Sequence, residues 1–202
     1  NASDFDVFAV NTAELQRYIR QRLVVPIDPS MVPNLARQLP RFRNRETIPG
    51  IEHDGKVYAI PYTYAEMGLI YDRGQLSAAP DSTAVLWDTR YRGKVLVFND
   101  GTHNFSLAAL ALGMRTPFLI ADRDWPALVD KLIDLRRNVL TFYAQPDESV
   151  ELFKSRRASL MLANYGSQQL QLMKSAGIDA AYVIPKEGAL AWLDVWAITR
   201  GA

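Results

Sequence analysis

The sequence contains no cysteine and only two histidines, His53 and His103. The lack of cysteine excludes a disulfide framework, a thiolate zinc site and a cysteine nucleophile. Neither histidine has a second one three to five residues away, which a helical zinc site would require. Each histidine has acidic residues nearby that could join it as metal ligands: Asp100 for His103, and Glu52 and Asp54 for His53. A lone aspartate before a helix, however, is typically a cap. We therefore predict no metal site and no cofactor.

A net charge of one sign is also missing, because 23 basic and 22 acidic residues leave a formal charge of +1. Such a chain has no overall field with which to hold nucleic acid or an anionic membrane. Its longest uninterrupted apolar stretches, such as residues 107–112, fall far short of the ~20 residues of a membrane helix. Phosphate-binding glycine loops and the GxSxG turn of serine hydrolases are absent as well.

Short apolar, β-rich runs alternate with helical patterns along the whole chain, which predicts an α/β fold. Helices are expected after the cap residues Thr12, Asp124 and Ser167. Five prolines between Pro26 and Pro49 predict an irregular connection there. The predicted strands cover residues 6–10, 57–63, 68–71, 94–98, 139–143, 159–163, 181–184 and 192–198.

At the end of the segment from Pro185 to Asp194, the acid Asp194 stands within a run otherwise suited to a buried strand. A buried carboxylate without a partner costs several kcal/mol. In a strand, Trp192 and Asp194 point to the same face, so an indole and a carboxylate would meet there. That pair suits an organic cation, which the acid would pair while the ring offers its π face. An intramolecular ion pair with a lysine or arginine is the alternative interpretation of Asp194.

Several stretches of the chain occur in the order found in one family of proteins. They are Ser3–Thr12, Arg22–Asp28, Tyr58–Tyr64 with Gly68–Asp72, Leu86–Asp88 with Tyr91–Val95, and Pro185–Gly188 with Trp192 and Asp194. In these stretches the chain resembles the bacterial periplasmic spermidine/putrescine-binding proteins, which are solute receptors of polyamine ABC transporters. The resemblance covers essentially the whole chain. The Pro-Lys-Glu-Gly…Trp-x-Asp and Leu-Trp-Asp…Tyr-x-Gly-Lys-Val pieces are its most distinctive parts.

The resemblance implies a two-lobed α/β fold of the type II periplasmic-binding-protein class, which clamps its ligand between the lobes. Residues 1–93 and 185–202 would form lobe one, and residues 94–184 would form lobe two. The family has a strand and helix before residue 3 and helices after residue 202, so lobe one is expected to be incomplete. If the 202 residues are the whole polypeptide, the open edge at residues 6–10 predicts a homo-oligomer.

The resemblance also implies binding residues in lobe one. Asp194 matches the principal amine-binding aspartate of the family, and Trp192 matches the aromatic residue two positions earlier. Asn11 and Thr12 match a serine-containing loop. Tyr64, which closes one of the matching stretches, completes the candidates from this lobe.

In lobe two the implied site is less well matched. Asp100 stands at an acidic position of the family, whereas His103 replaces the glutamate of spermidine binders. Asn164 replaces a tryptophan, for which Tyr165 is a substitute. Ser167 stands where putrescine binders carry an aspartate.

The resemblance therefore implies a periplasmic, exported protein that binds a small cationic solute such as putrescine or spermidine and catalyses no reaction. Its partner would be an ABC permease. The alternative is an extracytoplasmic ligand-sensing domain of a signalling protein that binds arginine, agmatine or another amine. A metal-dependent enzyme using Asp100 and His103 is the alternative from a different class.

Overall fold

Two units make up the structure, a computed structural model that describes residues 5–155 and 157–202. Unit 1 consists of the described residues up to Tyr64 together with Trp192–Ala202, and unit 2 consists of Ala65–Ala191. Residues 65–93 and 185–191 are thus grouped with unit 2, whereas the resemblance places them in lobe one. The lobe boundaries at residues 93/94 and 184/185 stay a prediction.

Strands and helices alternate as the sequence pattern predicts, and each of the eight predicted strands is present within a few residues of its expected bounds. The strands are β1 (Val7–Asn11), β2 (Val24–Val25), β3 (Glu52–His53), β4 (Lys56–Val57), β5 (Ala59–Met67), β6 (Leu69–Asp72), β7 (Val95–Phe98), β8 (Val139–Tyr143), β9 (Leu160–Leu162), β10 (Ala180–Val183) and β11 (Leu190–Thr199). The helices are α1 (Thr12–Arg20), α2 (Pro40–Arg43), α3 (Gly101–Ala111), α4 (Trp125–Asn138), α5 (Pro146–Lys154) and α6 (Gly166–Ser175).

The sheet of unit 1 is built around β11. This strand pairs antiparallel with β1, and it also pairs with β2 and β5. The register places Asn11 opposite Asp194 and Val10 opposite Val195. Among the described residues β1 is an edge strand of this sheet, so the predicted association through that edge stays a prediction.

Helix α1 covers one face of this sheet. Its buried residues Leu15 and Ile19 pack with Val195 and Ala197 of β11. The helix cap differs from the expectation, because Asn11 is the N-cap and Thr12 is the first helical residue. Asn11 takes the role because its side-chain oxygen accepts the Ala13 N–H, so Thr12 as cap was wrong.

The proline-rich connection that follows β2 is irregular, as predicted. It contains only α2 and three short 3-10 turns, at Pro29–Met31, Pro33–Arg37 and Arg45–Thr47. The chain then forms the β3–β4 hairpin, in which Asp54 and Gly55 both have positive φ. An Asp-Gly pair is the preferred sequence for such a two-residue turn.

Unit 2 contains a five-stranded sheet in the order β10-β6-β9-β7-β8. Strands β7, β8 and β9 run parallel, whereas β6 is antiparallel to β9 and to β10. The core of this unit includes Leu96, Met161, Tyr143, Phe153 and Met173. Because the carboxyl ends of β7, β8 and β9 meet at one edge, the loops that follow them are brought together.

The helix caps of unit 2 follow the sequence expectation in part. Asp124 precedes α4 as predicted, although its side chain makes no capping hydrogen bond. Helix α6 begins at Gly166, so Ser167 lies inside the helix and its predicted capping role is wrong. No helix in the described part of the chain is long and apolar enough to cross a bilayer.

Candidate functional site

The predicted anionic group of unit 1 is held by a neutral side chain. Asp194 lies opposite Asn11 across the β1–β11 ladder, and Asn11 Nδ2 donates to Asp194 Oδ1 at 3.2 Å. The Oδ1 atom of Asn11 accepts the Ala13 N–H at 3.0 Å, which fixes the orientation of the amide. Since the amide brings no positive charge, Asp194 keeps its net negative charge and a second oxygen for a cation.

Trp192 shares the sheet face of Asp194, as the two-residue period predicts. The alternate residues Leu193, Val195 and Ala197 pack into the core against α1, so Trp192 and Asp194 point away from that core. Both side chains are half-buried. The ladder of β1 ends at Asn11, so Trp192 lies beyond the carboxyl end of β1, where ligands of open α/β sheets bind.

The same face carries an aromatic pair that the sequence reasoning did not single out. Trp196 follows Asp194 by two residues, and its ring centroid lies 4.5 Å from that of Tyr62 in β5. Trp196 is 39% exposed and Tyr62 is 56% exposed. Trp196 lies within the ladder, opposite Ala9, rather than beyond its end. Extending the alternation from Asp194 by one step would have found it.

The remaining candidates of unit 1 have more local roles. Thr12 is half-buried at the first turn of α1, adjacent to Asn11. The ring of Tyr64 makes an edge contact with Phe42, with centroids 5.2 Å apart. The Arg41 guanidinium lies 4.7 Å from the centroid of the Tyr64 ring. Tyr64 therefore already holds a cation of its own chain on its aromatic face.

In unit 2 the structure brings Asp100 and His103 together at the start of α3. Asp100 is the N-cap, and its Oδ1 accepts the His103 N–H at 2.9 Å. His103 Nδ1 lies 3.1 Å from the same Oδ1. Oδ1 of Asp100 thus caps the helix and lies beside the imidazole, whose Nδ1 makes no hydrogen bond within the described residues. Oδ2 is the oxygen left for another group.

Asn164 and Tyr165 follow β9 at the same sheet edge as Asp100. The ring of Tyr165 packs edge-on against Phe98, the last residue of β7, with centroids 5.9 Å apart. Phe98 lies two residues before Asp100, so Tyr165 lies on the side of the sheet edge where Asp100 caps α3. Asn164 is buried, whereas Ser167 is exposed on α6.

Beneath the Asn164–Tyr165 segment lies a buried polar network that the sequence reasoning missed. Tyr143, Gln169 and Ser149 are all fully buried. Gln169 Nε2 donates to Ser149 Oγ at 2.7 Å, and the Tyr143 hydroxyl donates to the Leu162 carbonyl at 2.8 Å. The available signal was the position of Gln169, four residues before the core residue Met173 on the inward face of α6.

Gly166 joins this segment to α6 in a backbone conformation that other residues rarely adopt. Its φ is +52°, and a Cβ added there would lie 3.0 Å from the Glu66 carbonyl oxygen. We expect Gly166→Ala to lower the free energy of unfolding by roughly 1 to 3 kcal/mol. Thermal unfolding measures the loss. At Gly101 φ is not positive and a Cβ meets nothing within 4 Å, so Gly101→Ala is the matched control. Equal stability of the two variants would contradict this account.

The Pro-Lys-Glu-Gly motif, which carried much of the resemblance, forms an anchor within unit 2. Glu187 accepts hydrogen bonds from the Ser82 hydroxyl and, at 3.1 Å, from the Thr83 N–H. These donors lie at the start of the 3-10 turn Thr83–Trp87. Burial works against ionisation of Glu187, but the hydrogen bonds outweigh it and lower the pKa of this carboxyl below its ordinary 4.5.

A lowered pKa in the folded state means that ionised Glu187 stabilises the fold above pH 4.5, and that this contribution is lost as the pH falls through the lowered pKa. We expect Glu187→Gln to reduce the free energy of unfolding at pH 7 by about 0.5 kcal/mol, since the carboxylate is exposed. The difference from wild type should shrink on acidification. Urea unfolding at pH 7 and pH 3.5 tests this, with Glu151→Gln on α5 as control. A difference that grows in acid would contradict it.

Metal binding gains no support from the side-chain arrangement. Within residues 5–155 and 157–202, no group of three or more histidine, aspartate or glutamate side chains could hold a metal ion. Asp100 and His103 form a pair that is explained by helix capping.

Comparisons with known proteins agree with the resemblance seen in the sequence. A spermidine/putrescine-binding periplasmic protein of Haemophilus influenzae is 25% identical over 203 residues, covering 98% of this chain and 52% of that protein. The substrate-binding protein of a spermidine/putrescine ABC transporter from Streptococcus pneumoniae matches with a TM-score of 0.76 and 22% identity, over 98% of this chain and 58% of that one. A protein from Listeria monocytogenes matches with a TM-score of 0.82 and 24% identity, over 99% of this chain and 59% of that one.

These matches confirm the predicted two-lobed periplasmic-binding-protein fold, and their partial coverage fits the prediction that one lobe is incomplete. The chain spans about half the length of the curated relative described above. A family model for bacterial extracellular solute-binding proteins matches residues 1–202. The chain therefore belongs to the bacterial extracellular solute-binding protein family.

Proposed function

We propose that this chain binds a small organic cation, with a polyamine such as putrescine or spermidine as the first candidate ligand. The observation that carries the proposal is the position of Asp194, which has a neutral hydrogen-bond partner and shares its sheet face with Trp192. A carboxylate paired by an amide retains its charge for an incoming ammonium. An indole on the same face offers a cation–π surface for that ammonium or an apolar surface for its methylenes.

A second candidate is arginine or agmatine, each of which carries a lower net charge than spermidine. The arrangement of Asp100 and His103 favours these ligands, because Oδ1 of Asp100 is used by the start of the helix and a histidine stands at the position of the glutamate. Unit 2 then offers less free negative charge than the glutamate of spermidine binders would supply. Spermidine, with the highest positive charge of these candidate ligands, therefore gains less from unit 2 than it would from a site with that glutamate.

The role we propose is that of the solute receptor of an ABC transporter, located outside the cytoplasm and delivering its ligand to a membrane permease. Support comes from the family, whose members are extracellular solute-binding proteins, and from relatives that are described as spermidine/putrescine-binding periplasmic proteins. Such a receptor binds its solute without a chemical step, and we propose that this chain is not an enzyme.

A thermal-shift and calorimetric panel tests the ligand class. Putrescine, spermidine, agmatine and arginine are titrated against the protein, with 1,4-butanediol as a control that keeps the chain length of putrescine but carries no charge. A ligand that binds only the folded state raises the melting temperature by an amount that grows with the ratio of its concentration to its Kd. We expect a rise with at least one cation and none with the diol. Equal shifts with the diol, or none with any cation, would refute the proposal.

A further inference from the structure

In the loop that follows β9, the backbone N–H groups of Asn164 and Tyr165 donate to buried side chains. The Tyr143 hydroxyl accepts the Asn164 N–H at 3.0 Å while donating to the Leu162 carbonyl at 2.8 Å. Gln169 Oε1 accepts the Tyr165 N–H at 3.4 Å. Two successive backbone N–H groups thus donate to two different side chains of the same network.

The network is itself tied down at its far end. Gln169 Nε2 donates to Ser149 Oγ at 2.7 Å, and Ser149 Oγ donates to the Pro146 carbonyl at 2.6 Å. Strand β8 and helices α5 and α6 therefore each supply one member. Burial raises the pKa of Tyr143 far above its ordinary value, so its hydroxyl stays a donor at every physiological pH.

Buried polar groups are costly unless each finds a partner, and this network sits in the apolar core of unit 2. A core that needed only stability would be served by apolar side chains at Tyr143 and Gln169. The hydrogen bonds instead fix the backbone orientation of Asn164 and Tyr165. These residues lie at the edge of the unit 2 sheet that also carries Asp100.

We propose that Tyr143 and Gln169 are positioning residues for the binding site, and that they orient Asn164 and Tyr165 without touching the ligand. The inference rests on the proposed function, since Asn164 and Tyr165 are candidate binding residues. It makes the affinity of the site depend on two side chains that lie entirely inside the fold.

The experiment compares Tyr143→Phe and Gln169→Met with Val139→Ala in the otherwise intact protein. The first two keep the side-chain volume close to that of wild type and remove hydrogen-bonding atoms, whereas Val139→Ala removes buried apolar atoms at the opposite end of β8. Each variant is titrated with spermidine and with agmatine by calorimetry, well below its own melting temperature. Amide hydrogen exchange at Asn164 and Tyr165 is measured on the same samples.

We expect about a tenfold loss of affinity in Tyr143→Phe and in Gln169→Met, the equivalent of one hydrogen bond, with faster exchange at Asn164 and Tyr165. Val139→Ala should lower the melting temperature while leaving both the affinity and these two amides unchanged. Wild-type affinity in both network variants, or an equal loss in Val139→Ala, would overturn the inference.

Failure of the proposed function has a different signature. If wild type binds none of the four cations of the panel, the proposed ligand class fails, and the positioning role is then decided by the exchange data alone. Unchanged exchange at Asn164 and Tyr165 in both network variants would overturn it.

Discussion

Replacement of Asp194 by asparagine should weaken binding of the cationic ligand by roughly 30-fold to several thousandfold, because removing one partner of a desolvated charge pair typically costs ~2 to 5 kcal/mol. The fold should change little. Asp194 is only half-buried, and the new amide still offers an oxygen to Asn11 Nδ2. Calorimetric titration with the cation that binds best to wild type gives the affinity, and thermal unfolding gives the stability.

The matched control is Asp179→Asn. Asp179 is an exposed aspartate of unit 2, 3.4 Å from Arg73, and has no place in the candidate site. The Asp179→Asn substitution removes the same charge from the molecule as Asp194→Asn does. Any general effect of net charge on cation binding therefore appears in both variants. If Asp194→Asn binds as tightly as Asp179→Asn, the ligand does not use Asp194.

Replacement of Trp192 by alanine should weaken binding by roughly tenfold to a hundredfold, through loss of the cation–π contact and of the apolar surface beside Asp194. Trp192→Phe should recover part of the affinity, because phenylalanine keeps an aromatic face of smaller size. The affinity is measured by the same titration. Quenching of indole fluorescence by the ligand should be reduced in both variants.

Trp196→Ala provides the control, since Trp192 and Trp196 lie two residues either side of Asp194 on one strand face. Trp196 lies opposite Ala9, inside the ladder, and its ring packs at a tilt against that of Tyr62, whereas Trp192 lies beyond the end of β1. We therefore expect Trp196→Ala to bind almost normally. A larger loss in Trp196→Ala than in Trp192→Ala would place the ligand further along β11 than we propose.

The fold of this chain was largely predictable because its strands are short, apolar and separated by helical patterns. The run Val139–Tyr143 is predicted and observed with the same bounds. Helix starts were less predictable, because several short polar side chains stand near each start and geometry selects among them. Asn11 rather than Thr12 caps α1 for that reason, and α6 begins before Ser167.

The site was predictable only where the chemistry is local in sequence. The shared face of Trp192 and Asp194 follows from the strand period, but the partner of Asp194 is 183 residues away and depends on the register of β1 with β11. From the sequence alone, a lysine or arginine was an alternative partner for Asp194. In the structure its partner is the neutral amide of Asn11. The Tyr143–Gln169 network was out of reach for the same reason, since its members lie on three separate elements.

Motifs that identify a family need not be the residues that bind its ligand. In the Leu-Trp-Asp stretch, Trp87 donates to the Lys131 carbonyl at 2.9 Å, and Asn138 Nδ2 donates to the carbonyls of Leu86 and Asp88. Glu187 of the Pro-Lys-Glu-Gly motif likewise anchors a 3-10 turn. These pieces are distinctive because they fix local backbone geometry, whatever the ligand.

The fixed orientation of the Asn11 amide has a consequence for chemical ageing of the protein. Deamidation would turn the Nδ2 donor into a carboxylate oxygen facing Asp194 at hydrogen-bond distance. At such a short distance two carboxylates cannot both ionise freely. One of them would hold a proton, or the pair would bind a cation of higher charge. The Ala13 N–H would still find its acceptor, and the helix start would survive. An aged sample would then remain folded while its preference moves towards more highly charged amines. Isoelectric focusing of the unfolded chain would detect the deamidation itself as one extra negative charge.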